Sequence, residues 1–443
     1  MLKNIFYSTV FMAAALLLLA MLTVPHALAL PSTVTFTVDN INDLIDTDTS
    51  DGVCTPGSCS LRAAIMQANK IPAPGATIIV PSGIYTLTRP PAGTDPDYNG
   101  DLNLTTPASG NPIISIIGAG AASTIIDANQ IDRVLRIDSG RTVSISGVTI
   151  RNGYSPVSDG GGIWNNGSLT VSSSTISGNH AVRGGGIFDE HSLTVLNSII
   201  SQNMSDHAGG GLLSLGDLNV RNSTIGLNSA GGFGGGIYTG ITLTLATSTI
   251  YGNHAGDGGG IFNDGYLTAV NSTIGQNNAD TNGGGLYNRA LTNGLAALYN
   301  TTIVDNDADH DRDENGGIGG GVYNPAGPRF IVVNTLIAGN TLVNSPIYDD
   351  CDGILEAYGK NLFSELSGCT IPNAGNAGLI FLNTIGPLQD NGGPTWTHAL
   401  LAGSAAIDAT LDVLGCVNET GALLTTDQRG APRPVGVRCD VGA

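Results

Sequence analysis

The densest set of potential ligands in the sequence is the run Asp305-Asn306-Asp307-Ala308-Asp309-His310-Asp311-Arg312-Asp313-Glu314-Asn315-Gly316. Asp305, Asp307, Asp309, Asp311 and Asp313 alternate along it. Alternating carboxylates on a loop can collect Ca2+, a hard cation that takes roughly six to eight oxygens. The EF-hand pattern fails. His310 stands where its glycine belongs, and Gly316 where its bidentate glutamate belongs. Two readings stand: a Ca2+ site, with Ca2+ the one cofactor the sequence suggests, and a loop of solvated charge.

A second set is a column of large side chains, Trp164, Phe188, Leu213, Tyr238, Phe262, Tyr287 and Tyr323. Each follows an aliphatic residue behind a glycine triplet. Strand alternation points the ring outward when the aliphatic residue points inward. This predicts an exposed stripe of rings at Trp164, Phe188, Tyr238, Phe262, Tyr287 and Tyr323. Such a stripe can bind a polysaccharide or cell-surface glycan, or simply stack against itself.

Catalysis would need more. A lyase requires clustered carboxylates beside a base, and a hydrolase a carboxylate pair at a set separation. The acids Asp159, Asp189, Glu190, Asp217, Asp257 and Asp264 recur in no single column, and Arg183, Arg221 and Arg289 are scattered. No Asn-Thr-Asp with Gly-His-Gly and Arg-Ile-Lys partners is present, as a galacturonan hydrolase would show. His180 and His254 fill a slot that other repeats give to Met204, Ser229 and Asn278, which reads as repeat drift. No catalytic residue is assigned.

What positions these side chains is a repeat. Gly160-Gly161-Gly162-Ile163-Trp164 is followed by Leu169-Thr170-Val171, then by Ser174-Thr175-Ile176-Ser177-Gly178-Asn179. Triplets begin at Gly160, Gly184, Gly209, Gly234, Gly258, Gly283 and Gly319, with spacings of 24, 25, 25, 24, 25 and 36. A fixed period of this size signals a solenoid. Three short strands per period, each sending alternate residues inward, predict a three-sided right-handed parallel β-helix. Leu169, Val171, Ile176 and Ile163, with their equivalents Leu193, Val195, Ile200 and Ile187, form its expected core. The glycines read as corners, where φ is positive or stacked backbones leave no space for Cβ. The closing asparagines, Asn179 to Asn340, read as a column that tolerates the left-handed region and bonds coil to coil.

Composition agrees. Of 443 residues, 63 are Gly, 12% are charged and 41% are hydrophobic, and the net charge is −19. An acidic chain is a poor partner for nucleic acid or anionic membranes. Residues 1–29 carry Lys3, an apolar run from Phe11 to Val24 and Ala27-Leu28-Ala29, the pattern of a signal peptide. No further hydrophobic segment suggests a transmembrane helix. The reading is a secreted or surface-held monomer. Six cysteines lie outside the main repeats as three local pairs. The expected bridges are Cys54–Cys59, Cys351–Cys369 and Cys416–Cys439, although six cysteines allow about 15 connectivities.

Residues 30–100 read as an N-terminal cap. It holds an acidic turn, Asp46 to Gly52, and a helix from Ser60 to Asn69 with Ser60 as its cap. Cys59-Ser60-Leu61-Arg62-Ala63-Ala64-Ile65 resembles the Cys-Ser-Leu-Arg-Glu-Ala signature of CSLREA-domain proteins, which are exported β-helix proteins. Ala63 stands for the usual glutamate, so any salt bridge made by that glutamate is absent. The words Gly-Gly-Gly-Ile-Tyr and Asn-Ser-Thr-Ile resemble polymorphic outer membrane protein repeats and the pectin-lyase-like superfamily. From about residue 345, Gly386-Pro387-Leu388-Gln389-Asp390-Asn391-Gly392-Gly393-Pro394 and Asp427-Gln428-Arg429-Gly430 resemble the choice-of-anchor Q domain. That resemblance implies a sorting signal, which a sequence ending at Ala443 does not include.

The expected layout is thus 1–29 signal peptide, 30–100 cap, 101–345 β-helix repeats and 346–443 C-terminal cap. The expected role is adhesion or glycan binding without catalysis. The alternative is a Ca2+-dependent pectate lyase-like or other polysaccharide-degrading enzyme, which rests on superfamily analogy.

Overall fold

The computed structural model describes residues 33–91, 99–107, 110–289, 294–311, 316–325, 327–343, 348–411 and 415–443. The expected signal peptide lies outside these residues. A three-residue strand cannot bury its apolar side chain alone, so each coil depends on the coils stacked above and below it. Among the described residues, strands stack into three main parallel sheets of 12, 12 and 11 strands and a narrower fourth of 8. One coil runs through Ile163–Asn165 in the third sheet, Ser168–Ser172 in the first, Thr175–Ser177 in the second and His180–Arg183 in the fourth. The next coil pairs with it residue for residue: Leu169 with Leu193, Ile176 with Ile200, Ile163 with Ile187. The architecture is an all-β parallel solenoid. The fourth sheet is the feature that a three-sided reading omits. The segment between the closing asparagine and the glycine triplet pairs across coils as well.

The expected core is present. Leu169, Val171, Ile176, Ile163 and their equivalents are buried in one continuous apolar column. Leu61, Ala64, Ile65 and Ala68 of the single α-helix among the described residues, α1 (Leu61–Ala68), join the same column and cover its open end. Ser60 caps α1, its Oγ accepting from the Ala63 N–H at 3.0 Å. Buried Arg62 holds the cap together, donating to Asp43 Oδ1 at 2.7 Å and to the Gly100 and Asp101 carbonyls. Leu102–Leu104 and Leu135–Ile137 begin the third sheet. The three cysteine pairs are those expected: 54–59, 351–369 and 416–439. No helix among the described residues is long and apolar enough to cross a membrane.

The glycine triplets are corners, as expected. Gly184 sits at φ +61, and a Cβ on Gly185 would lie 2.2 Å from the Met204 carbonyl oxygen. The asparagine column departs from expectation in one respect. Its members are not left-handed; the residues before them are, including Gly178, Gln202, Leu227 and Gln276. The reason for asparagine is the ladder. Asn203 Nδ2 donates to Asn228 Oδ1 at 3.0 Å and to the Ile176 carbonyl at 3.0 Å, while its Oδ1 accepts from Asn179 Nδ2 and the Asn179 backbone N–H. The pattern repeats through Asn253, Asn277 and Asn306 to Asn340.

Asp350 ends the ladder. One oxygen accepts the Asn340 amide and backbone N–H; the other accepts the Ser364 hydroxyl and the Ser364 and Glu365 N–H groups. Burial pushes its carboxyl up to about 6 against the pull of these bonds.

Two outcomes follow from the ladder. Asn253→Ala leaves buried donors and acceptors on both neighbouring coils unpaired, and should cost about 1–3 kcal/mol per stranded group in denaturant unfolding. For Asp350, a folded pKa above the unfolded value means that folding favours the protonated form. Its contribution is full below about 3.8 and is lost as the pH rises through about 6. The unfolding free energy of wild type relative to Asp350→Asn should therefore fall across that window; a flat difference contradicts the assignment.

Candidate functional site

Outward positions of the third sheet gather the side chains that the sequence presents as scattered. Trp164, Phe188, Leu213, Tyr238, Phe262, Tyr287 and Tyr323 pair in register, one per coil. Neighbouring coils are about 4.8 Å apart, so the column is roughly 29 Å long. Tyr238 and Phe262 stack with centroids 5.5 Å apart and planes 6° apart, and Phe262–Tyr287 and Tyr287–Tyr323 follow at 4.7 and 4.8 Å.

The column is not the uniformly exposed stripe expected. Phe188 and Phe262 are buried, whereas Trp164, Tyr238, Tyr287 and Tyr323 are half-buried. Alternation does turn all of them out of the coil, but neighbours close over two of them. The Arg183 guanidinium lies 4.9 Å above Phe188, and Arg289 lies 4.9 Å above Phe262, where Phe233 also packs at 4.9 Å. Arg136 covers Trp164 in the same way at 4.9 Å.

Arg183 and Arg289 are each fixed by a carboxylate about one coil away, and Arg136 by Asp138 two residues on. Arg183 donates to Asp159 at 3.0 and 2.7 Å across 24 residues. Arg289 donates through Nε to Asp264 at 2.6 Å, and through Nη2 to its other oxygen, across 25 residues. Tyr238 donates its hydroxyl to the same Asp264 across 26 residues. Burial, with the Asp264 hydrogen bond, pushes the Tyr238 phenol up to about 12. The hydrogen bond to Asp159 holds Arg183 above its ordinary range, and Asp264 does the same for Arg289. Burial raises Glu190, an exposed residue, with nearby Asp159 adding to the effect.

The signal for this cluster was in the sequence: opposite charges separated by one period. A search for one shared column misses it, because each pair joins a corner on one coil to a corner on the next. The same spacing marks His180 with Asp206 and His254 with Asp280, each pair 2.9 Å apart on the fourth sheet. These histidines therefore have partners, which repeat drift did not anticipate. Asp189 is different. It is fully buried, accepting from Asn165 Nδ2 at 2.6 Å and Ser214 Oγ at 2.7 Å, and belongs to a second interior polar ladder.

The described part of the acidic run does not converge. Asp305 is exposed at the corner after the second sheet, where His398 and Asp307 are the titratable groups that act on it. Asp307 lies in the fourth sheet and accepts from Thr341 Oγ1. Asp309 is buried at the next turn and Asp311 is exposed, while Asp313 lies outside the described residues. Among the described residues no three His, Cys, Asp or Glu side chains gather around a common point.

The segment after residue 380 folds back along the outer face of the second sheet. Gln428 spans it, accepting from Thr273 Oγ1 at 2.7 Å and donating toward Thr249 Oγ1 at 2.9 Å. Trp396 packs on Tyr251 at 5.3 Å beside a cavity of about 350 Å³ that Asn197 and Asn222 also line.

No family model and no curated protein matches this chain. Among solved structures it is similar to a crystal structure of the pectate lyase Pel9A, with a TM-score of 0.54 and 15% identity over 94% of this chain and 96% of the other. At that identity the likeness is one of fold.

The Asp264 network is open to a direct test. Asp264→Ala removes the acceptor shared by Tyr238 and Arg289, so the Tyr238 phenol should titrate part of the way back toward the ordinary value of about 10. A tyrosinate difference spectrum reads this as one phenol moving to lower pH, and superimposable wild-type and variant titrations would refute the network.

Proposed function

We propose that the chain is an extracytoplasmic protein that holds an extended polysaccharide or cell-surface glycan along the outer face of its third sheet, acting as a monomer and without cleaving what it holds. The observation that carries this reading is the in-register ring column with Arg–Asp pairs along it. Half-buried rings offer apolar faces to sugar rings, and a fixed guanidinium rim offers directional donors to hydroxyls or carboxylates. A surface held in place by its own ion pairs is ordered before the ligand arrives, which reduces the entropy cost of binding.

The arginines argue for binding over chemistry. Arg183 and Arg289 are each paired with a carboxylate and raised above their ordinary range, so neither is suited to take a proton from a substrate. Three disulfides fit an oxidising compartment. The competing reading, a Ca2+-dependent polysaccharide lyase, is favoured by likeness of fold to a pectate lyase.

The test uses three of the four half-buried rings. Trp164→Ser/Tyr287→Ser/Tyr323→Ser is expected to weaken retention on the bound polysaccharide by roughly tenfold or more, since such rings contribute about 0.5–1.5 kcal/mol each. Wild type that retains no glycan across an array, or a triple variant that binds as well as wild type, removes the proposal. Release of unsaturated, ultraviolet-absorbing products from polygalacturonate would establish the lyase reading instead.

A further inference from the structure

The acidic turn ahead of the first disulfide contains an arrangement unlike anything in the coils. Four oxygens converge on one atom of α1. Gln67 Nε2 lies 2.9 Å from Asp46 Oδ2, 2.9 Å from the Asp48 carbonyl oxygen, 2.9 Å from Asp51 Oδ1 and 3.0 Å from the Val53 carbonyl oxygen. A primary amide nitrogen carries two hydrogens, so it cannot serve all four acceptors, although Asp51 Oδ1 also takes the Val53 N–H at 2.9 Å. The same side chain has the opposite fault at its other end. Gln67 is fully buried, and its Oε1 has no hydrogen-bond partner.

One change removes the first fault and moves the amide nitrogen to the buried end. A half-turn of the amide exchanges its oxygen and nitrogen, two atoms that are nearly indistinguishable in shape. Oε1 then joins the other four, giving five oxygens, two of them from carboxylates, with the Val53 N–H on Asp51 Oδ1 as the hydrogen bond donated among them. Such a set is mutually repulsive unless a cation sits inside it.

We propose that this cage is a Ca2+ site, with Asp46 and Asp51 as carboxylate ligands, the Asp48 and Val53 carbonyls as neutral ligands and Gln67 Oε1 as the ligand from the helix. An all-oxygen set of mixed carboxylate, carbonyl and amide character suits Ca2+, which accepts irregular geometry and completes its shell with water; Mg2+ demands a near-ideal octahedron. Only two of the five ligands are acidic side chains, so the site is separate in kind as well as in place from the run at Asp305 to Asp313. Lys70 lines the hollow beside Ser50 and Asp51 and opposes the ion, which places the affinity in the weak range of extracellular modules, about 10⁻⁴–10⁻³ M. The ion ties the turn to α1, the element that covers the open end of the apolar column. Its role is to fasten the cap.

Titrating CaCl2 into the chelator-treated chain, by calorimetry and by thermal unfolding, tests the site. One ion should bind per chain and raise Tm, with Mg2+ far less effective. Asp51→Asn and Gln67→Leu should abolish both effects. Gln67→Glu, which replaces the amide oxygen with a carboxylate, should keep or tighten binding, and reads the site even if Asp51→Asn fails to fold. Asp307→Ala/Asp309→Ala should bind as wild type does. No heat and no Tm shift in wild type at millimolar Ca2+ overturns the proposal. So does binding that is lost in Asp307→Ala/Asp309→Ala yet kept in Asp51→Asn.

Discussion

A buried side-chain amide must have all its hydrogen bonds or it destabilises the fold, and the asparagine ladder meets that demand only if every coil supplies the same residue at the same place. From Asn203 onward each amide uses both hydrogens and accepts two bonds from the preceding rung. A coil slipped by one residue would bring an apolar or left-handed neighbour to the rung and strand buried polar groups on both sides. The ladder therefore fixes register along the helix. The residue-for-residue pairing of every main sheet, and of the outward columns, is consistent with this one constraint.

A ladder of donors and acceptors also needs an end. Asp350 provides it, since a carboxylate accepts on both oxygens and passes nothing on. It receives the last asparagine on one side and the Ser364–Glu365 backbone on the other, at the point where the coils give way to the segment that turns back along the second sheet. At the opposite end α1 contributes apolar residues to the core, and Arg62 and Asp43 fasten it from the side. The two ends solve different problems: one terminates hydrogen bonds, the other covers apolar surface.

With register fixed, the outer faces become predictable in kind. Whatever occupies an outward position stacks on its equivalent about 4.8 Å away. On the third sheet those equivalents are mostly rings, and a ring between two rings is already half covered. Corner arginines cover two of the rings fully. This explains why a column that alternation turns to solvent contains Phe188 and Phe262 as buried residues. Outward from the coil and exposed to solvent are separate properties here.

The sequence by itself determined what repeats. Period-2 alternation within a strand, and a 24- or 25-residue period between strands, identified the inward residues, the corners, the solenoid and the helix at its end. Local cysteine spacing identified the bridges. These features are legible because each depends on a few neighbouring residues or on strict recurrence. Tertiary structure alone decided what does not recur: the union of Asp264 with Arg289 and Tyr238, the fourth sheet, the interior place of Asp189, the separation of the described carboxylates of the acidic run and the convergence of four oxygens at Gln67. Each of these depends on where one side chain crosses a corner or a coil boundary to meet another. Abundance of aspartate from Asp305 to Asp313 does not by itself bring the described carboxylates together. Ligand geometry is set by which oxygens face inward to a point, and alternation along a strand turns neighbouring carboxylates away from one another.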